Sequence, residues 1–257
     1  MPVYTDTHCH LGHMDVDTDE VVERARAAGV TTMVTVGDDL ASSAECVRAA
    51  SVLPGVHAVV GIHPNNAIEA TEHVLARVRD LASHPEVVGI GETGLDFFRD
   101  DCPPVRQEES FREHIRLAKE LDRALVIHDR EAHADVVRVL LDERPPPRTV
   151  FHCFSGGPDL VETCAAYGWF MSFAGTVTFR NAPLLREAAA LAPVELIVAE
   201  TDSPYLSPHP HRGKPNEPCR VVHTIAQLAE LHDRDAEEMG RVTTANAERL
   251  FALASGG

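Results

Sequence analysis

The sequence predicts an α/β protein of the (β/α)8 TIM-barrel class, because strand-like and helix-like segments alternate eight times along it. Short apolar runs, rich in valine and isoleucine, alternate with longer stretches of helical periodicity over the 257 residues. An open doubly wound sheet is the alternative, but it would show a glycine fingerprint after the first strand, where this chain has His8, Cys9 and His10. We therefore expect a single barrel domain spanning residues 1–257.

The segments can be placed along the chain from these patterns. We predict strands at 3–9, 31–36, 56–62, 87–91, 124–127, 149–151, 169–173 and 196–199. We predict helices at 18–28, 40–50, 67–82, 104–121, 131–142, 158–167, 182–190, 217–231 and 235–253. Residues 203–218, rich in proline, histidine and glycine, are predicted to form an ordered surface loop.

The composition is typical of an acidic globular protein, with 44% hydrophobic residues and a formal net charge of −17. Such a surface repels polyanions, so a nucleic-acid substrate would have to be held by local cations. Six cysteines without a CxxC pair argue against a disulfide framework and against a cysteine-based zinc site.

The sequence has no pattern that directs it to a membrane. No apolar run approaches the roughly 18 residues that a spanning helix needs, and residues 1–10 lack the pattern of a signal peptide. We expect a cytoplasmic location, no membrane contact and no obligate protein partner.

Histidines and acids follow the predicted strands at their C-terminal ends, which in a barrel all lie at the face that carries active sites. His8 and His10, separated by one residue on a strand, point the same way. Imidazole pairs suit Zn²⁺, Ni²⁺, Mn²⁺ or Fe²⁺. The full set of candidate metal ligands is His8, His10, Glu92, His128, His152 and Asp202. Six ligands are too many for one catalytic ion with an open position, but they fit two ions about 3.5–4 Å apart with a carboxylate between them.

Eight short motifs together resemble the TatD family of metal-dependent deoxyribonucleases. They are DTHCH at 6–10, GIHP at 61–64, GETGLD at 91–96, IHDR at 127–130, HCFSG at 152–156, ETDSPY at 200–205, RGKPNEP at 212–218 and NAERLF at 246–251. The resemblance covers nearly the whole chain. It implies a barrel of the amidohydrolase type, with two divalent cations such as Zn²⁺, Mg²⁺ or Mn²⁺, that hydrolyses phosphate esters, especially in DNA.

The resemblance also implies a role for each ligand. One ion would be held by His8, His10 and Asp202. The other ion would be held by His128 and His152. Glu92 would bridge the two ions, and His63 would contact the substrate phosphate rather than a metal.

Glu92 and Asp202 are the candidate catalytic groups. We expect Asp202 to take the proton of the attacking water, although it is equally well explained as a ligand alone. Glu92 is the alternative base. Asp96, four residues after Glu92, is predicted either to orient a ligand histidine or to cap the turn that follows.

Several exposed cations and aromatic residues near the predicted strand ends are candidates for substrate contact. Arginine and lysine side chains there would hold flanking phosphates or remain solvated, and the aromatic rings would stack bases or simply pack. The cations are Arg99, Arg180, Arg212, Lys214 and Arg220, and the aromatic residues are Phe97, Phe98 and Tyr205.

The leading functional hypothesis is a divalent-metal-dependent phosphodiesterase, an exonuclease-type deoxyribonuclease acting on nucleic-acid ends. The alternative is hydrolysis of an amide, a lactone or an aminoacyl ester, because the same metal scaffold activates water against a carbonyl centre. A non-enzymatic metal-binding scaffold is disfavoured because all six ligand types are present.

Overall fold

The structure is a computed structural model that describes residues 3–253. Residues 1–2 and 254–257, the ends of the predicted single domain, lie outside the described part of the chain. Contacts between residues divide the chain into two units, one formed by Met1–Thr35 with Cys153–Gly257 and the other by Val36–His152. The single domain over 1–257 stays a prediction.

Residues 3–253 contain eight strands, and within each unit consecutive strands pair in sequence order and in parallel. Strands and helices alternate, so the predicted (β/α)8 barrel class is confirmed. The strands are β1 Tyr4–Cys9, β2 Val30–Val36, β3 Val56–Val60, β4 Val87–Asp96, β5 Ala124–Arg130, β6 Thr149–Phe151, β7 Phe170–Phe173 and β8 Ile197–Ala199.

The helices follow the predicted segments closely. They are α1 Thr18–Ala27, α2 Leu40–Val52, α3 Glu72–Ala82, α4 Pro104–Glu120, α5 His133–Glu143, α6 Pro158–Tyr167, α7 Pro183–Leu191, α8 Val221–Leu231 and α9 Ala236–Phe251. Within residues 3–253, no helix combines the length and the apolar character that crossing a membrane requires.

Helix α3 begins five residues later than predicted. Residues Pro64–Glu69 form a 3-10 turn, and Thr71 then caps α3 by accepting a hydrogen bond from the backbone N–H of Val74 at 3.3 Å. A threonine hydroxyl satisfies one of the donors that a helix start leaves without a partner, so the helix begins after it. The apolar residues before Thr71 belong to the turn.

Strand β4 is longer than predicted, and the prediction that it ends at Gly91 was wrong. It continues to Asp96 because its last residues pair with β5, with Gly94 opposite His128 and Asp96 opposite Arg130. A Cβ atom on Gly94 would lie 2.1 Å from the carbonyl oxygen of His128. The glycine therefore lets the two strands approach closely, rather than ending the strand.

In the first unit, the end of β1 pairs with the segment that follows β8. Cys9 and Ser203 form an isolated parallel bridge. The N–H of His10 donates to the carbonyl of Ser203 at 2.8 Å, and the N–H of Asp202 donates to the carbonyl of His8 at 2.9 Å. This pairing places two histidines and an aspartate from opposite ends of the sequence side by side.

In the second unit, α4 and α5 are joined by a network of charged side chains. Glu108 accepts hydrogen bonds from Arg112 at 2.8 Å and from Arg138 at 2.7 Å. Arg112 also reaches Asp142 and Glu143, each at 3.1 Å. The hydrogen bonds of Arg138 and Arg112 lower the pKa of Glu108 to about 2. A network of this kind contributes more than an isolated surface ion pair.

We expect Glu108→Gln to lower the free energy of unfolding at pH 7 by about 1 kcal/mol, after allowance for solvent screening. Because the folded-state pKa of Glu108 is depressed, its contribution is fully present above the unfolded pKa and is lost as the pH falls towards 2. Urea unfolding at pH 7, 5 and 3 should therefore show the difference between variant and wild type shrinking below about pH 4.3.

The matched control for this prediction is Glu45→Gln. Glu45 pairs with Arg48 at 3.4 Å, and both side chains are more than half exposed. We expect a change within about 0.5 kcal/mol at every pH. A Glu108 effect that is as small as this, or that does not depend on pH, would contradict a stabilising network.

Candidate metal centre

The first group of candidate ligands lies at the end of β1 and just after β8. His8 Nε2 is 3.3 Å from His10 Nε2. Asp202 Oδ1 lies 3.4 Å from His10 Nε2 and 3.9 Å from His8 Nε2. Three ligand atoms thus face a common point, as the alternation of side chains on a strand predicts for two histidines separated by one residue.

Asp6 holds this group in place through hydrogen bonds with Thr201 and His8. Its carboxylate accepts hydrogen bonds from the N–H of Thr201 at 2.9 Å, from the hydroxyl of Thr201 at 2.6 Å and from the N–H of His8 at 3.3 Å. Burial raises the pKa of Asp6 to about 8, although the bonds from Thr201 oppose the rise. Asp6 therefore ties the backbone of β1 to the segment that carries Asp202.

Two further side chains flank His10 within the first unit. The ring of His13 stacks on that of His10, with centroids 4.9 Å apart and planes 8° from parallel. The hydroxyl oxygen of Tyr205 lies 3.5 Å from His13 Nδ1, and the tyrosine side chain is 52% exposed. The group is thus bordered by rings that a substrate can reach from solvent.

The second group surrounds the carboxylate of Glu92. Its Oε1 lies 2.6 Å from His128 Nδ1, 2.9 Å from His152 Nε2 and 3.5 Å from His63 Nε2. The histidines come from the end of β3, from β5 and from the end of β6, and β4, which carries Glu92, lies between β3 and β5. The order of the paired strands brings together residues that are up to 89 positions apart in the sequence.

Two members of this second group, Glu92 and His63, are held in protonation states that bind metals. Burial by itself would raise the pKa of Glu92, but the neighbouring imidazoles, led by His152 and His63, hold it well below its usual range. Burial lowers the pKa of His63 to about 4, against the attraction of Glu92. At neutral pH Glu92 is therefore ionised and His63 is neutral, which are the forms of these side chains that bind metals.

Asp96 contacts the opposite side of the His128 ring. Its Oδ2 lies 3.1 Å from His128 Nε2, while its Oδ1 accepts from the N–H groups of Phe98 and Arg99 at 3.0 Å each. Burial would raise the pKa of Asp96, but the bond with His128 and the backbone bonds lower it to about 2. Both predicted roles, orienting a histidine and capping the turn, are found in this one carboxylate.

The donor atoms fit divalent cations. Neutral imidazole nitrogen and carboxylate oxygen are ligands of Zn²⁺, Mn²⁺ and similar ions. Ligand atoms of His63, Glu92 and His128 lie within 4.8 Å of one another. The structure thus places His63 among possible ligands, whereas the resemblance to the family implies a contact with substrate phosphate for it.

Thr201 and Glu200 play parts that the sequence patterns did not predict. Thr201 holds Asp6, and the buried Glu200 accepts a hydrogen bond from the N–H of Cys153 at 2.8 Å. Glu200 lies directly after β8 and two residues before Asp202. Residues two apart in an extended segment share a face, so this spacing was the signal that could have identified Glu200.

Two of the predicted substrate-contacting side chains take part in cation–π pairs. The guanidinium carbon of Arg130 lies 3.8 Å from the ring centroid of Phe98, and that of Arg212 lies 3.6 Å from the centroid of Phe179. One face of Phe98 is therefore covered by Arg130. Base stacking by Phe98 stays a prediction.

Comparison with known proteins gives a consistent family. The family model for TatD related DNase matches residues 5–252. The chain is 46% identical to a protein of Mycobacterium tuberculosis named "Uncharacterized metal-dependent hydrolase TatD", over 96% of this chain and 97% of that protein. It is 39% identical to a protein of Cronobacter turicensis named "3'-5' ssDNA/RNA exonuclease TatD", over 92% of each chain.

A solved structure agrees with these relatives. The crystal structure of YjjV, a TatD homologue from Escherichia coli, superimposes with a TM-score of 0.92 at 29% identity and covers 98% of each chain. The chain belongs to the TatD-related DNase family and is a metal-dependent hydrolase that acts on ester bonds.

Proposed function

We propose that this enzyme hydrolyses phosphodiester bonds at the ends of single-stranded nucleic acid, DNA in particular. The observation that carries the proposal is the pair of ligand groups, each combining imidazole nitrogens with a carboxylate oxygen. A relative that is 39% identical carries the name "3'-5' ssDNA/RNA exonuclease TatD", which supports the substrate class. The predicted cytoplasmic location is part of this proposal.

We propose two divalent cations as cofactors. His8, His10 and Asp202 would hold one ion, and His128 and His152 would hold the other. Glu92 would be the ligand shared between them, as the resemblance to the family implies. The mutual distances of 3.3–3.9 Å in the first group and of 2.6–2.9 Å around Glu92 support the membership of each group.

The local charge supports an anionic substrate. Four neutral histidines and two carboxylates with two divalent cations give a formal charge of about +2, four minus two. A phosphodiester is attracted to such a site even though the whole chain has a formal charge of −17. Cations that lie near the strand ends, such as Arg212, would hold the phosphates of neighbouring nucleotides.

When bound, the ions would polarise the phosphoryl oxygen and lower the pKa of a water molecule towards about 7. Asp202 would accept the proton of that water, with the role of ligand alone as the alternative. Its side chain is 14% exposed and lies beside His10, so it is open to solvent on one side. His63 would contact the substrate phosphate, with its ring held beside His128 at 3.2 Å.

We expect the purified protein to bind two divalent ions per chain and to hydrolyse a labelled single-stranded oligonucleotide. It should also cleave bis(nitrophenyl) phosphate, because both substrates present a phosphodiester to the same ligand groups. Metal analysis followed by assays with Zn²⁺, Mg²⁺ and Mn²⁺ checks this. Turnover of a lactone, an amide or an aminoacyl ester without phosphodiester cleavage would favour the alternative function, and absence of bound metal in equilibrium dialysis would refute both.

We expect Glu92→Gln and His128→Ala each to reduce kcat on the oligonucleotide by about 1,000-fold or more, since several kcal/mol of transition-state stabilisation are lost. His73→Ala, on the exposed face of α3, is the matched control and should keep wild-type activity. Circular dichroism establishes that each variant is folded. Near-native turnover by a folded variant with added metal would remove that residue from the mechanism.

We expect Arg212→Met to weaken binding of a phosphorothioate oligonucleotide and to flatten the log–log salt dependence by about 0.7, the contribution of one phosphate contact in single strands. Arg241→Met is the control, because Arg241 pairs with Glu237 on α9 and both side chains are largely exposed. Fluorescence anisotropy at several salt concentrations measures both slopes. Equal slopes for the two variants would show that Arg212 does not contact phosphate.

A further inference from the structure

Helix α4 has polar side chains on the face that it buries. Gln107, Ser110 and His114 are 1%, 5% and 0% exposed. Their spacing of three and four residues places them on one side of the helix. Burying polar groups is costly unless each finds a hydrogen-bond partner, so their partners indicate what this face does.

Gln107 binds the backbone at the end of β4. Its Oε1 accepts from the N–H of Asp96 at 2.8 Å, and its Nε2 donates to the carbonyls of Asp96 at 3.0 Å and Cys102 at 2.9 Å. The pairing of β4 with β3 ends at Ile90. The amide of Gln107 therefore replaces a neighbouring strand for Asp96, on the side that β3 no longer covers.

His114 likewise binds a backbone group, just after the end of β3. Its Nε2 accepts a hydrogen bond from the N–H of Ile62 at 3.0 Å, and its Nδ1 lies 2.7 Å from the carbonyl oxygen of Ser110. Burial lowers the pKa of His114 to about 4, so the ring is neutral and accepts at Nε2 over the working pH range. Ile62 directly precedes His63.

The two backbone segments held by α4 flank a single imidazole. His63 Nε2 lies 3.2 Å from His128 Nδ1, and Asp96 Oδ2 lies 3.1 Å from His128 Nε2. One helix face thus binds the main chain of Asp96 and of Ile62, the residue before His63. Asp96 and His63 contact the His128 ring from two sides, and Glu92 also contacts its Nδ1. This ring is 15% exposed, and its orientation decides which nitrogen faces Glu92.

We propose that Gln107 and His114 are positioning residues that orient the His128 ring for metal binding by holding the backbone on both of its sides. The inference rests on the proposed role of His128 as a ligand. Residues that orient a ligand histidine typically change metal affinity by about 10-fold to 100-fold when they are removed. A side chain that serves stability alone would change the melting temperature and leave metal affinity unaltered.

The experiment is Mn²⁺ titration calorimetry of the full chain, without nucleic acid, on wild type and on Gln107→Met. Methionine keeps the length of the side chain and removes all three hydrogen bonds. We expect Mn²⁺ affinity to fall by about 10-fold to 100-fold at one of the two sites, with the number of bound ions unchanged at saturating Mn²⁺. A second pair of variants tests the other anchor: His114→Leu should show the same loss, and His114→Gln should restore affinity because its amide oxygen accepts from Ile62.

Asn246→Leu is the matched control for a buried amide that holds a strand. Asn246 donates to the carbonyls of Val194 at 2.8 Å and Ile197 at 2.7 Å, at the start of β8. This variant should lower the melting temperature and keep wild-type Mn²⁺ affinity. If Gln107→Met does not fold, the two His114 variants decide the question.

Mn²⁺ affinity within twofold of wild type in folded Gln107→Met or His114→Leu would overturn the inference. So would a loss of affinity in Asn246→Leu as large as theirs. The titration contains no substrate, so its outcome is separate from that of the oligonucleotide assay. A chain that binds Mn²⁺ as expected but leaves oligonucleotides intact would contradict the proposed function and leave the positioning role standing.

Discussion

The second ligand group depends on one requirement, that the buried and ionised carboxylate of Glu92 be stabilised by its neighbours. A buried anion is unstable unless cations or hydrogen-bond donors surround it. Three imidazole nitrogens lie within 3.5 Å of its Oε1, and they come from the ends of three different strands. Because the parallel strands are paired in sequence order, each brings its histidine to the same carboxylate. The order of the strands in this unit therefore assembles the ligand group.

Close approach of the backbones makes this arrangement possible. Gly91 and Gly94 in β4 leave room for the main chain of β5, where a Cβ atom would lie 2.4 Å from the carbonyl oxygen of Val126 and 2.1 Å from that of His128. The same close pairing sets the register that places His128 opposite Gly94. Glycine in this strand is thus a packing requirement of the site.

The first unit also contains a buried acid, but a backbone group and a hydroxyl, rather than imidazoles, bind it. Asp6 is buried completely, and the backbone N–H and the hydroxyl of Thr201 form hydrogen bonds with its oxygens. Through these bonds the chain after β8 is fixed against β1, so that Asp202 lies beside His8 and His10. Hydrogen bonds to backbone position the ligands in both units, and the helices and strands supply rigid supports for them.

The sequence by itself determined the barrel class, the position of nearly every element and the set of candidate ligands. Alternating apolar periods and the residue types at strand ends are local signals, so they can be read directly from the sequence. Only the tertiary structure decided where β4 ends, that Asp96 serves both the His128 ring and a turn, and that the buried face of α4 holds the backbone beside His63 and Asp96. These features depend on contacts between groups of different elements, and such contacts leave no periodic trace because their partners are fixed by packing.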